Sequence, residues 1–159
     1  MNLTAGTATG YGAQTLSGGF QAVIGSAFAD SLTGSVASTL LSGGAGGNDT
    51  FDGGGGGTSA VAETIVGSLS GVNTLDLSAD TVGGVSARLS TGIVDAGGAG
   101  GYGYLAVSHI QRLVGSAAGG DFLQGTAGTL YLGAGSSPLS FSHLQINSES
   151  FPAIWPRFS

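Results

Sequence analysis

Apolar and polar positions alternate in short bursts along this chain, and glycine separates the bursts. Gly25, Gly34 and Gly43 stand nine residues apart, and large apolar residues recur at a matching place as Leu32, Leu41 and Phe51. Glycine tolerates the positive φ of a tight turn, so each unit reads as a turn plus a short strand with one side chain facing inward. Two units make one coil of 18 residues. The expected fold is all-β, a parallel β-solenoid built from glycine-rich nonapeptide turns. Asn73 to Leu77 and Val85 to Leu89 alternate in the same way and predict strands with one buried face. Leu105 to Val114 is the best helix candidate, and it reads equally well as a strand.

A longer repeat overlies the short one. Leu3-Thr4-Ala5-Gly6 matches Leu89-Ser90-Thr91-Gly92, and Ala22-Val23-Ile24-Gly25-Ser26-Ala27 matches Arg112-Leu113-Val114-Gly115-Ser116-Ala117. The offset grows from 86 to 90, which places a short insertion in the loop from Gly97 to Gly103. Asp30, Leu32 and Gly34 correspond to Asp121, Leu123 and Gly125. Duplication explains this economically. The expected organisation is a glycine-rich region over 1–135, with copies at about 2–60 and 88–135 joined by a strand-rich spacer. From Ser136 onward glycine disappears and Pro138, Pro152 and Pro156 join Phe141, Phe151, Trp155 and Phe158. That irregular tail, 136–159, continues no repeat; it reads as a cap, a disordered end or sequence foreign to the repeats.

Composition narrows the picture. Of 159 residues 33 are glycine and only 8% are charged, and the hydrophobic 41% rests largely on alanine, valine and leucine, so a thin, repetitive core is expected. Cysteine is absent, which removes disulfides and thiolate metal sites. Lysine is absent too, and Arg88, Arg112 and Arg157 face nine carboxylates, so nucleic acid is not an expected partner. No apolar run reaches the about 18 residues of a transmembrane helix, and Met1-Asn2-Leu3-Thr4 opens no charged and greasy leader; neither a membrane span nor an amino-terminal signal peptide is expected.

The candidate chemistry lies at Gly43-Gly44-Ala45-Gly46 with Asn48 and Asp49, where turn carbonyls meet amide and carboxylate oxygen, a donor set suited to calcium. The stretch GGAGGNDTFDGGGG resembles the repeat-in-toxin, or haemolysin-type, calcium-binding repeats with their nonapeptide GGxGxDxUx. VIGSAFADSLTG, NTLDLSAD and LVGSAAGGDFLQG are similar to the spacers between such repeats, and together the resemblance covers roughly residues 1–135. It implies a right-handed parallel β-roll whose turns hold calcium, export by a type I pathway that reads a carboxy-terminal signal, and folding outside the cell once calcium arrives.

Gly47 complicates the register. As a one-residue insertion it puts Asp49 in the aspartate slot and Phe51 in the apolar slot; otherwise Asn48 is the ligand and Thr50 the apolar residue. Asp30 and the Asn48/Asp49 pair lie about one coil apart and are expected to bridge a cation between stacked turns, or else to cap their turns through backbone hydrogen bonds. On the other edge Thr39 and Thr58 or Ser59 carry no charge, so that column is expected to be empty. Asp121 faces Leu139 one coil on and offers at best a half-site. Asp52 is expected to face solvent, Asp76, Asp80 and Asp95 to be turn-like or exposed, and His109 and His143 form no zinc pair. No Gly-x-Ser-x-Gly elbow occurs, Gly53 to Gly57 lacks the lysine of a phosphate loop, and Thr4, Thr7 and Thr9 do not recur in register. The expected function is a non-enzymatic, calcium-binding β-roll module of a secreted bacterial exoprotein or adhesin, able to self-associate through open solenoid ends. The alternative is a calcium-independent solenoid scaffold or adhesive surface with degenerate metal sites.

Overall fold

The computed structural model describes residues 1–10, 12–15, 19–36, 40–55, 61–96, 103–118, 120–126 and 129–132. Thr39, Thr58, Ser59, Gly56 and Gly57, the loop 97–102, His143 and the tail 136–159 lie outside them. The described residues form strands and turns with no helix: β1 (Thr7–Gly10), β2 (Gly12–Thr15), β3 (Ala22–Ile24), β4 (Ser31–Thr33), β5 (Leu40–Ser42), β6 (Thr50–Asp52), β7 (Glu63–Val66), β8 (Thr74–Asp76), β9 (Val85–Arg88), β10 (Ile93–Ala96), β11 (Gly103–Ser108), β12 (Arg112–Val114), β13 (Phe122–Gln124) and β14 (Leu130–Leu132). The stretch Leu105 to Val114 thus falls in β11 and β12.

After an antiparallel β1–β2 hairpin, the chain alternates between two separate sheets, one ordered β13-β9-β10-β11-β7-β5-β3 and the other β14-β12-β8-β6-β4. All pairings are parallel except at β9–β10–β11, which fold back antiparallel and add two strands to the first sheet. That excursion departs from the expected all-parallel stack. It follows from the Leu89-Ser90-Thr91-Gly92 turn: Gly92 has φ 67 and its N–H bonds back to Leu89 O, reversing the chain.

A three-residue strand can aim only its middle side chain inward, and that geometry builds the core. Leu32, Phe51, Leu75 and Leu113 lie in register across the second sheet, and Val23, Leu41, Ile65 and Val107 across the first. All eight belong to one buried cluster. Coil length is less regular than the glycine spacing predicts: Val23 and Leu41 are 18 apart, Leu32 and Phe51 are 19 apart, and Phe51 and Leu75 are 24 apart. Gly47 absorbs the extra residue in the second coil. Its φ is 102, and a side chain there would run into the Phe28 backbone. The register therefore puts Phe51 beside Leu32 and Asp49 level with Asp30.

The internal duplication is visible in hydrogen bonds. Leu3 N–H donates to Thr33 O at 2.8 Å, and Leu89 N–H donates to Gln124 O at 2.9 Å. Gly6 and Gly92 both bond back to the leucine three residues earlier, with φ 63 and 67. The β1–β2 pair corresponds to β10–β11, with one residue between the paired strands in the first copy and six in the second.

Two phenylalanines test this core. Phe51 is fully buried whereas Phe28 is 79% exposed. Phe51→Ala is expected to lower unfolding free energy by about 3–5 kcal/mol, and Phe28→Ala by no more than about 0.5 kcal/mol, in urea titrations. Equal losses would show that the register is wrong.

Candidate functional site

The turns entering the five-stranded sheet share one construction. The residue just before each of β4, β6, β8 and β12 is Asp30, Asp49, Asn73 and Gln111 respectively. Its backbone N–H sits where the sheet's own pairing begins and needs an acceptor once covered. The next coil supplies one from a side chain: Asp30 N–H donates to Asp49 Oδ1 at 3.1 Å, Asp49 N–H to Asn73 Oδ1 at 3.2 Å, and Asn73 N–H to Gln111 Oε1 at 2.8 Å. Backbone bonds run alongside, from Thr50 N to Asp30 O and Thr74 N to Asp49 O at 2.8 Å, and from Gln111 N to Asn73 O at 2.9 Å. A continuous ladder results.

Each rung is shaped within its own turn. Ser26 donates to Asp30 Oδ2 from its N–H at 2.6 Å and from its hydroxyl at 3.0 Å. Ser68 Oγ lies 3.1 Å from Asn73 Oδ1, while Asn73 Nδ2 donates to Ser68 O at 2.8 Å and His109 O at 2.9 Å. His109 itself is exposed, with φ 56, a conformation rare outside glycine. The rung side chain folds back over the glycine that opens its turn. An added Cβ on Gly43 would fall on Asp49 Oδ2, and one on Gly115 on Asp121 Oδ2. Glycine at these two places is required by the close approach of a carboxylate.

Asp121 makes a separate rung in the seven-stranded sheet. Its Oδ1 accepts from Val85 N–H at 2.9 Å and Ser116 Oγ at 2.7 Å, so its stack neighbour is the first residue of β9. It is not brought near Asp30 or Asp49 by these bonds. Asn48 is exposed, and its Oδ1 accepts the Val72 N–H at 2.8 Å, tying two turns together. Asp30 is half-buried and Asp49 fully buried. Asp52 and Asp95 depart from the solvent-facing and the turn-like or exposed settings expected for them, being half-buried on strands β6 and β10, and Asp76 closes β8 with Oδ1 accepting from Ser78 N–H. Asp80 lies in a turn, its N–H donating to Leu77 O at 2.9 Å, but it is buried there, and its backbone O accepts from Ala117 N–H at 2.9 Å.

Toward a metal, the donor set is mixed. Asp49 Oδ2 and Asp121 Oδ2 are buried without a hydrogen-bond partner, and an unpaired carboxylate oxygen away from water is unfavourable. Among the described residues, no three His, Cys, Asp or Glu side chains gather at one point. Asn73 and Gln111 escape the nonapeptide pattern. Asn73 had a legible signal, since Val66-Gly67-Ser68 ahead of Asn73-Thr74-Leu75 matches Ile24-Gly25-Ser26 ahead of Asp30-Ser31-Leu32; Gln111 had none. No helix among the described residues is long and apolar enough to cross a membrane. No family model, curated protein or solved structure matches the chain.

Because Asn73 both accepts from Asp49 N–H and donates to the Ser68 and His109 carbonyls, Asn73→Ala strands several polar groups and is expected to cost about 3 kcal/mol. Gly43→Ala, which forces the Asp49 carboxylate aside, is expected to cost a similar about 2–4 kcal/mol. Gly19→Ala has open space around it and serves as the neutral control. Thermal melts of the three variants check this; if Asn73→Ala melts with the control, the ladder does not bear on stability.

Proposed function

We propose that this chain is a non-catalytic structural module, a coil of stacked β-turns that serves as a scaffold or spacer in a secreted bacterial protein and holds its shape without metal. One observation carries the reading: the neutral side chains of Asn73 and Gln111 accept the same strand-leading N–H that Asp49 accepts, so the rung needs an oxygen at that place and not a charge. The resemblance to repeat-in-toxin repeats supports a β-roll or β-solenoid architecture and an extracellular setting. The acidic balance, net −6, suits a soluble surface with no affinity for nucleic acid.

A second reading is favoured by a specific feature, the orphan Oδ2 of Asp49 beside the half-buried Asp30. A calcium ion held between these two turns would add positive charge where the column carries two carboxylates. Asn48, whose amide oxygen is already taken by Val72 N–H, and Asp121, bonded to Val85 in the other sheet, contribute less to such a site. The chemistry a bound ion supplies is cross-linking of adjacent turns.

Melting temperatures in millimolar calcium and in chelator separate the readings. The scaffold reading expects them to agree within about 2 °C, whereas calcium at a hundredfold excess over Kd would stabilise by about 2.7 kcal/mol, or several degrees. Should calcium stabilise, Asp30→Ala is expected to abolish the increment while Asp52→Ala preserves it; a matching loss in both would move the ion elsewhere.

A further inference from the structure

The two sheets differ on their outer faces. In the five-stranded sheet the residues flanking the buried middle one are polar in β4, β6 and β8: Ser31 and Thr33, Thr50 and Asp52, Thr74 and Asp76. The seven-stranded sheet is mostly apolar there. Ala22, Leu40, Thr64, Ala106 and Ile93 lie in one row across β3, β5, β7, β11 and β10, and Ile24, Ser42 and Val66 lie in the next. Their strand neighbours Val23, Leu41, Ile65, Val94 and Leu105 are buried in the core, so these side chains point the other way, and Ile24 and Ile93 are 70% and 53% exposed. Strands that alternate polar and apolar residues have one wet face. Strands that are apolar throughout, as in Ala22-Val23-Ile24, Ile65-Val66 and Leu105-Ala106-Val107, belong to sheets covered on both faces. An apolar face of this continuity marks an interaction surface.

We infer that the outer face of the seven-stranded sheet is a docking surface for the chain's own segment 136–159. Composition selects that occupant first. The segment has no glycine and holds Phe141, Phe151, Trp155 and Phe158, three of the seven phenylalanines and the only tryptophan, so it brings the large apolar side chains that a face of alanine, valine, leucine and isoleucine lacks. Topology selects it next. The chain passes through β11, β12, β13 and β14 by alternating between the sheets, and the same alternation carries it from β14 to the seven-stranded side. Reach is sufficient, because strands about 4.8 Å apart and a rise of about 3.3 Å per residue let about nine extended residues cross the whole sheet. Pro138, Pro152 and Pro156 lack the N–H of a ladder strand and favour an extended backbone, which suits a segment lying flat on a face through its side chains.

Trp155 reports on this by itself, and the measurement is made in chelator so that its outcome does not depend on any metal. Its emission in the full chain is expected at shorter wavelength, and its quenching by iodide weaker, than in a synthetic peptide of residues 136–159. Ile24→Asp combined with Ile93→Asp puts charge on the face without touching the core, and is expected to return both signals to the values of the peptide. Val82→Asp, at a valine 55% exposed in the turn ahead of β9, is expected to leave them unchanged. Full-chain signals equal to those of the peptide, a shift indifferent to the Ile24/Ile93 pair, or a shift lost equally in Val82→Asp overturns the proposal. A shift that fades on dilution while light scattering reports a dimer also overturns it, since it assigns the face to a second copy of the chain. If the double variant loses its β-sheet circular dichroism, Ile24→Ser, which repeats the serine that β5 carries beside it at Ser42, decides alone by losing part of the shift or none.

Discussion

Short parallel strands have a problem at their leading edge. The N–H of the residue before the strand is too early for the sheet ladder and too deep for water, and an unpaired buried amide is costly. This chain places an acceptor side chain at the same position in the next coil, and everything else is arranged around that bond. Glycine opens each of the aspartate and asparagine turns because the acceptor must fold back across it. Serine follows glycine in three of them because a hydroxyl fixes the acceptor's direction, as Ser26, Ser68 and Ser116 do. The middle residue of the strand that follows is then aimed into the core.

Carboxylate and amide differ in what else they bring to that position. Asn73 closes its own turn with two donated bonds, and the rung is neutral and fully used. Asp49 accepts with one oxygen and leaves the other against Gly43. A carboxylate is thus a rung with a spare valence, and among the described residues the Asp30–Asp49 step places two carboxylates on adjacent coils of one sheet. Moving inward from that end, the column loses charge at Asn73 and Gln111, and with it any electrostatic demand for a counter-ion.

The nine-residue spacing made the strands and their inward residues legible: Leu32, Leu41 and Phe51 are three members of the core, and Phe51 at the apolar slot followed once Gly47 was counted as an insertion. The antiparallel excursion at β9–β11 was not legible, because alternation in Val85 to Leu89 says which face is buried and nothing about strand direction. Asp30 and Asp49 were picked out by charge, which drew attention away from Asn73, an equal member of the ladder without charge. Gln111 reaches its place through a turn containing His109 at positive φ, a conformation that no residue pattern announces. Asp80 stands in a turn, as its setting in the sequence suggests, and its burial was not legible because that turn packs against the one at Ala117.

The rungs also set an order of events. Asp30 meets its acceptor 19 residues later, Asp49 meets Asn73 after 24, and Asn73 meets Gln111 after 38, so each closure waits on a longer loop than the one before. Val85 waits 36 residues for Asp121. A chain emerging amino terminus first can therefore lock its early coils one on another while β9 is still uncapped. Loop closure costs least at the Asp30–Asp49 step and more at the Asn73–Gln111 and Val85–Asp121 steps. A pulling force applied from the far end would meet the rungs in the opposite order, Gln111 on Asn73 first and Asp49 on Asp30 last, as a zipper is opened tooth by tooth.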